Sequence, residues 1–264
     1  VNRLDPILAA TREELARRRE IVSAAQVEQV AARRAATDPV RGFADALALP
    51  GLSVIAEHKR RSPSAGLIRK DLALEEVVAA YERGGAAALS ILTEGPSFGG
   101  SLDDLRAARA AAGLPLLRKD FIVDPYQVHE SFAAGADAIL LIVAALSRAE
   151  LTTLHAEALG LGLSVLVEVH DARELDVALE LRASVIGINN RDLKTLKVDT
   201  GRTFELLEHI GGQALVVSES GFRRRDQLDE LAGAGVDGVL IGEALMRSAD
   251  VEAACRELTL RLSV

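Results

Sequence analysis

The 264-residue sequence predicts an α/β fold, a (β/α)8 TIM barrel with a helical N-terminal extension. Three observations lead there. Eight short apolar runs rich in β-branched residues recur along the chain and alternate with amphipathic segments. Several of these runs are apolar almost throughout instead of alternating, as strands of a parallel sheet covered on both faces are. Their starts lie roughly 20–35 residues apart, about one βα unit each, and eight such units in series suggest a closed barrel.

In chain order, residues 1–50 precede the first strand. They read as two helices, about Asp5–Ser23 and Gln26–Ala36, and a shorter one near Asp38–Ala48. No linker or low-complexity tract sets them apart, so residues 1–264 are expected to form a single barrel domain with 1–50 as its extension. That extension either plugs the N-terminal end of the barrel or approaches the active face, and the sequence favours neither. The eight strands are expected at Leu52–Glu57, Ala87–Thr93, Pro115–Lys119, Ala138–Val143, Leu163–Glu168, Val185–Asn189, Ala214–Glu219 and Gly238–Gly242. Leu74–Glu82, Tyr126–Ala134, Ala172–Leu181 and Asp226–Ala232 carry the apolar spacing of helices between them. A weak repeat supports the series: Gly85-Ala86-Ala87-Ala88-Leu89, Gly135-Ala136-Asp137-Ala138-Ile139 and Gly235-Val236-Asp237-Gly238-Val239 each join a helix to a strand. Glycine there takes the left-handed conformation that ends a helix.

Composition narrows the function. The net charge is −8, with six Phe, two Tyr and no Trp. An acidic chain poor in aromatics lacks the basic footprint and stacking platforms of a nucleic-acid binder, so the expected partner is a small molecule. No apolar run approaches the ~18–20 residues of a membrane span, and the first twenty residues, in which Leu and Ala alternate with Arg and Glu, do not read as a signal peptide. The single cysteine, Cys255, fits a reducing cytoplasm. The five histidines show no metalloprotease spacing, and no nucleophile elbow, Walker loop or dinucleotide fingerprint occurs, so neither a metal nor a cofactor is expected.

In a barrel of this kind the chemistry sits at the C-terminal ends of the strands. Strand after strand ends there in polar groups: Glu57-His58-Lys59, Arg118-Lys119-Asp120, Glu168-Val169-His170, Asn189-Asn190-Arg191, Glu219-Ser220-Gly221 and Gly242-Glu243. Glu57, Glu168 and Glu219 are candidate acid/base groups, and Lys59 and Lys119 could bind an anion or, if desolvated, donate a proton near neutral pH. Asn189 could orient a hydroxyl. The alternative is a set of internal ion pairs that merely hold the loops. His170 reads as structural. Gly221 and Gly242 mark a candidate phosphate site after the seventh and eighth strands, the latter ahead of a short helix at Glu243–Arg247. In the basic loop Lys59–Gly66, Ser62 could donate to an anion, whereas Arg60 and Arg61 read better as surface charges.

These residues resemble the indole-3-glycerol phosphate synthase family from about Asp5 to the C-terminal helix. The resemblance rests on Ile55-Ala56-Glu57-His58-Lys59-Arg60-Arg61-Ser62-Pro63-Ser64, Leu117-Arg118-Lys119-Asp120-Phe121-Ile122 and Leu166-Val167-Glu168-Val169-His170. Ile188-Asn189-Asn190-Arg191-Asp192-Leu193, Ser218-Glu219-Ser220-Gly221 and Leu240-Ile241-Gly242-Glu243-Ala244-Leu245 complete it. It implies a cofactor-free conversion of 1-(2-carboxyphenylamino)-1-deoxyribulose 5-phosphate to indole-3-glycerol phosphate, CO2 and water. It implies Lys119 as the general acid, and Glu168 as base and stabiliser of the cationic intermediate. Lys59 would meet the departing carboxylate, and Glu57 or Lys59 would deliver the dehydration proton. Asn189 and Glu219 would position the hydroxyls and the anilino nitrogen. Ser62, Ser220, Gly221 and Gly242 would surround the phosphate, Leu89, Phe121 and Leu140 would flank the aromatic ring, and Arg191, Leu240 and Glu243 would be further substrate-binding positions. His58, Arg60 and Arg61 are more polar than the family pattern and Phe222 replaces an aliphatic residue; Arg61, beside the phosphate loop, could alter phosphate affinity.

Three other readings compete. A Schiff-base aldolase would use Lys119 as the imine-forming amine. A non-catalytic phosphate-binding barrel has no need of Lys59, Lys119 and Glu168 together. A phosphoribosylanthranilate isomerase would lack the extension and the Lys-x-x-Ser-Pro-Ser loop. The extension over the barrel favours a monomer.

Overall fold

Each apolar run becomes one strand of a closed parallel barrel in the computed structural model, which describes residues 4–259 apart from residue 194. The ends of the expected 1–264 domain, residues 1–3 and 260–264, lie outside the described residues. The barrel strands are β1 (Ser53–His58), β2 (Ala88–Leu92), β3 (Leu116–Lys119), β4 (Ala138–Ile142), β5 (Ser164–Val169), β6 (Val185–Asn189), β7 (Leu215–Glu219) and β8 (Gly238–Ile241). Neighbours in sequence pair in parallel, and β1 closes the ring by pairing Ser53 with Gly238 and, on its other side, Ile55 with Ala88. The loop after β1 folds into a two-stranded hairpin, Arg61–Ser62 against Gly66–Leu67.

Both faces of the strands are buried, which is why the runs show little alternation. One parity fills the barrel with Ile55, Leu117, Leu140, Leu166, Val217 and Leu240. The other meets the helices, as Val54, Ala56, Leu89 and Ile91 do against Val77, Val78 and Tyr81 of the helix Leu74–Arg83. Local signals bound the helices where the sequence places them. Ser101, Asp124, Ser147 and Asp171 each accept a backbone N–H at a helix start, and Pro125 opens the helix Pro125–Ala133. Gly85, Gly135 and Gly235 have φ of 87°, 104° and 92°, the left-handed turn expected of the repeat.

The extension does both things the sequence allowed. It comprises α1 (Leu4–Ile21), α2 (Ala24–Thr37) and α3 (Phe43–Leu47). α3 plugs the N-terminal end: Phe43 and Leu47, fully buried, join the cluster inside the barrel. The start of α1 reaches the opposite end, where Leu4 and Ile7 line the mouth. Between them α2 packs on Pro125–Ala133 and is anchored at Asp137, whose buried carboxylate accepts from Arg34 (3.1 Å), Arg109 (2.8 Å) and the backbone N–H groups of Arg41 and Leu116 (2.9 Å each).

Candidate active site

The C-terminal mouth of the barrel opens into a cavity of about 630 Å³. Because alternate residues of a strand face inward, the last inward position of each strand is delivered to its floor. Those positions are Glu57, Lys119, Glu168, Asn189 and Glu219, with Lys59 just beyond β1. Glu57, Glu168 and Glu219 are each at most 3% exposed. Lys59 Nζ donates to Glu57 Oε1 at 2.6 Å, and Lys119 Nζ donates to Glu219 Oε2 at 2.7 Å with Glu168 Oε2 3.7 Å away. Three carboxylates and two ammonium groups thus form one network under the cavity.

Burial and charge act in opposite directions here. Burial would lower the Lys119 ammonium, but the carboxylates of Glu219, Glu168 and Glu57 overcome it and raise the group well above an ordinary lysine. The expectation that desolvation frees its proton near neutral pH is therefore not met. Burial likewise pushes Glu219 up, to about 7, with Glu168 and Glu57 adding repulsion against the pull of Lys119. For Glu168 burial is outweighed by His170, Lys119 and Asn189, which bring it down to about 2. Glu57 is also lowered, since Lys59 and Lys119 offset its burial. Two neighbouring carboxylates so separated, one ionised and one poised near neutrality, suit paired acid and base work.

Two glycines make room for this network. A Cβ on Gly187 would sit 2.4 Å from Glu219 Oε1, an oxygen with no hydrogen-bond partner among the described residues. A Cβ on Gly242 would sit 2.6 Å from Glu57 Oε1. The absent side chain at Gly242 thus leaves space for the Glu57 carboxylate. At the end of β7, Ser220 takes a positive φ of 67° and Gly221 one of 100°, a sharp turn that carries both residues along the cavity wall. Asn190, to which the sequence alone assigns no role, pins this turn: its amide donates to Glu219 O at 3.0 Å and Ser220 O at 3.1 Å. Gly221 is also packed against Val198 and Thr200, each 2.7 Å from where a Cβ would lie.

Fifteen of the sixteen sequence-predicted site residues line the cavity, including Ser62, Phe121, Leu140, Arg191, Ser220, Gly221, Leu240, Gly242 and Glu243. Leu89 does not. Its side chain is fully buried in the outer cluster between strand and helices, so it cannot flank a ring in the barrel. β2 is buried on both faces, and the inward parity belongs to Ala88, Ser90 and Leu92; Leu92 lines the cavity and Ser90 Oγ donates to Glu57 Oε2 at 3.4 Å. Arg60, half-buried, and Arg61, exposed, do lie at the surface, and both are also tied down. Arg60 forms a two-pronged pair with Asp104 (2.8 and 2.7 Å), and Arg61 donates to the carbonyls of Ser97 (3.0 Å) and Pro96, tying the loop after β1 to the loop after β2. The sequence reading missed Phe98, Ile142, Leu4 and Ile7 as apolar lining, and Glu94, whose Oε2 accepts from Ser97 and Phe98 N–H at 2.7 and 2.8 Å. The Thr93-Glu94 pair at the end of β2 was a visible signal, since it repeats the polar ending of other strands.

Comparison with known proteins decides the family. The family model for indole-3-glycerol phosphate synthase matches residues 4–258. The chain belongs to the indole-3-glycerol phosphate synthase family. It is 49% identical to indole-3-glycerol phosphate synthase 2 of Streptomyces coelicolor over 92% of this chain and 93% of that protein. It is 50% identical to the indole-3-glycerol phosphate synthase of Acidithiobacillus ferrooxidans over 93% of this chain and 94% of that one. Among solved structures it resembles thiamine phosphate pyrophosphorylase from Pyrococcus furiosus, with a TM-score of 0.59 and 19% identity over 78% of this chain and 93% of that chain. That likeness shows the barrel fold alone. As a member of the indole-3-glycerol phosphate synthase family the chain is a carboxy-lyase of tryptophan biosynthesis acting on a small phosphorylated substrate. Among its described residues no helix is long and apolar enough to cross a membrane.

Proposed function

We propose that this mouth closes the indole ring of 1-(2-carboxyphenylamino)-1-deoxyribulose 5-phosphate with Lys119 as acid and Glu168 as base. The observation that carries the reading is the placement of Lys119 Nζ between Glu219 (2.7 Å) and Glu168 (3.7 Å) on the floor of the cavity. The ring carbon that bears the carboxylate attacks the ketone carbon, and the new carbon–carbon bond places charge on the ketone oxygen. Lys119 gives that oxygen a proton. A raised ammonium suits the step, because a developing alkoxide is far more basic than a carboxylate. Positive charge appears on the anilino nitrogen, opposite the ionised Glu168.

The carboxylate then leaves as CO2, and its bonding pair restores the aromatic ring. Lys59 holds this carboxylate before it departs. In the last step the nitrogen lone pair expels the hydroxyl as water, with a proton from Glu57 or Lys59, while Glu168 removes the hydrogen on the adjacent carbon. Electrons balance without an oxidant or reductant. Asn189 and Glu219 orient the hydroxyls and the anilino nitrogen. Ser62, Ser220, Gly221 and Gly242 bind the phosphate, with Arg191 and Glu243 at its side, and Phe121, Leu140 and Leu240 face the ring, joined by Leu92 and Phe98. The acidic charge supports a chain with no nucleic-acid partner, the single buried thiol a cytoplasmic one, and the extension over the barrel a monomer, the last testable by light scattering.

Indole fluorescence tests the central assignment. Wild type is expected to convert the substrate, and Lys119→Ala to lose about 10²–10⁴-fold in turnover, the usual worth of a placed acid. Turnover by Lys119→Ala at the wild-type rate would move the acid to Lys59.

A further inference from the structure

His170 is held beside the site, behind Glu168 and off the cavity lining, in a way that the reaction as assigned does not use. It follows β5 directly, two positions past Glu168, with its side chain only 11% exposed. Its Nε2 lies 3.3 Å from Glu168 Oε1 and its Nδ1 lies 3.0 Å from Glu174 Oε2. The backbone N–H of His170 donates to the same Glu174 oxygen at 2.8 Å. Glu174 is itself fixed in the first turn of the helix Ala172–Glu180, where its N–H donates to the capping Asp171 at 2.9 Å. The imidazole is therefore braced by the helix start on one side, while its Nε2, which makes no hydrogen bond among the described residues, faces the carboxylate at the end of a barrel strand.

Glu168 is divided by this contact. Oε1 faces His170, whereas Oε2 faces Lys119, 3.7 Å away. A carboxylate with two free oxygens can swing about its last torsion; a braced imidazole 3.3 Å from one oxygen, in an ion pair without a hydrogen bond from Nε2, favours the orientation seen here. The charged groups facing His170 are Glu168 on β5 and Glu174 on Ala172–Glu180, with Lys119 of β3 behind Glu168. Flanked by two carboxylates, the ring is an imidazolium in this setting, a second cation on Glu168 besides Lys119.

We propose that His170, braced by Glu174, is a positioning residue that holds Glu168 Oε1 to its side and so leaves Glu168 Oε2 directed at Lys119. The proposal rests on the assignment of Glu168 as the base. A purely structural His170 would tie the loop after β5 to its helix and leave the chemistry of Glu168 untouched.

Steady-state kinetics with the carboxyphenylamino-deoxyribulose phosphate separate these roles. His170→Ala is expected to lower kcat about 10–100-fold, the size usual for a residue acting through another, with KM changed less than about twofold. The acid limb of the kcat–pH profile is expected to move to higher pH, since Glu168 loses a cation that favours its charge. His170→Asn, which keeps one N–H donor, is expected to recover part of the loss. His170→Ala/Glu174→Gln is expected to be no slower than His170→Ala, because the brace has nothing left to hold. Wild-type kcat with an unmoved acid limb in His170→Ala overturns the proposal, as does a loss confined to KM. Should His170→Ala fail to fold, nitrogen NMR of the unaltered protein decides: both ring nitrogens are expected to be protonated at pH 7.5, and a neutral ring there overturns the proposal. Glu168→Gln run alongside keeps the two assignments apart. Full turnover in that variant removes Glu168 as base, whereas loss there with no effect at His170 removes only the positioning role.

Discussion

At the scale of the residue, the site depends on where side chains are missing as much as on where they are. Gly187 and Gly242 lie on the barrel wall with carboxylate oxygens 2.4 and 2.6 Å from the space a Cβ would fill. Gly187→Ala must push Glu219 off Lys119 or crowd Leu166, whose Cδ1 lies 3.2 Å from the same point. Turnover is expected to fall about tenfold or more, with a loss of about 1–3 kcal/mol from overpacking, read by kinetics and by urea unfolding. Charge at this scale also sets a pH dependence. Burial would lower His170, but Glu168 and Glu174 raise it to about 10. A cation raised by folding contributes its stability fully below the ordinary histidine value of 6.5 and loses it as pH climbs through about 10. The melting temperature is therefore expected to fall between pH 7 and 10, and to fall less steeply in His170→Asn; equal slopes by calorimetry would contradict this. Glu168 works in the opposite sense, since its stabilisation is present above the ordinary carboxylate range and is lost as pH drops toward 2.

At the scale of the element, α3 is the clearest case of burial deciding structure. It has five residues, too few to be stable as an isolated helix, and it persists because Phe43 and Leu47 fill the closed end of the barrel. Phe43→Ala is expected to cost about 3–5 kcal/mol by urea unfolding, as large-to-small changes at fully buried aromatics do. The strands were legible because their ends carry charge: Glu57, Lys119, Glu168 and Glu219 each close an apolar run and announce which parity faces the mouth. β2 lacks such a marker within its length. Ala88, Leu89, Ser90, Ile91 and Leu92 are all buried, so alternation could not say that Leu89 faces the helices. Ser90 was the one polar hint, since a hydroxyl inside the barrel finds Glu57 and one among the helix faces finds little. The destination of α1 was illegible for a different reason. Its amphipathic spacing says that Leu4, Leu8, Thr11 and Leu15 are covered, but not by what.

At the scale of the whole molecule, the extension joins the two ends of the barrel. Leu4 and Ile7 stand at the mouth, Phe43 and Leu47 at the N-terminal end, and Asp137 holds the stretch between them through Arg34 and the N–H of Arg41. Polar ends on many strands converge only after the ring has closed, which is why single motifs in the sequence carried less weight than their recurrence. Closure itself needs the first and last strands, β1 against β8. Protein synthesis runs the other way around this geometry. Phe43 and Leu47 leave the ribosome before any wall of their socket has been made, and the socket takes atoms from Ile55 through Leu240. The nascent chain therefore carries an uncovered apolar segment for most of its translation, a natural substrate for a chaperone. A chain cut short before β8 leaves that plug with no complete seat, so premature termination should yield aggregates rather than a smaller working barrel.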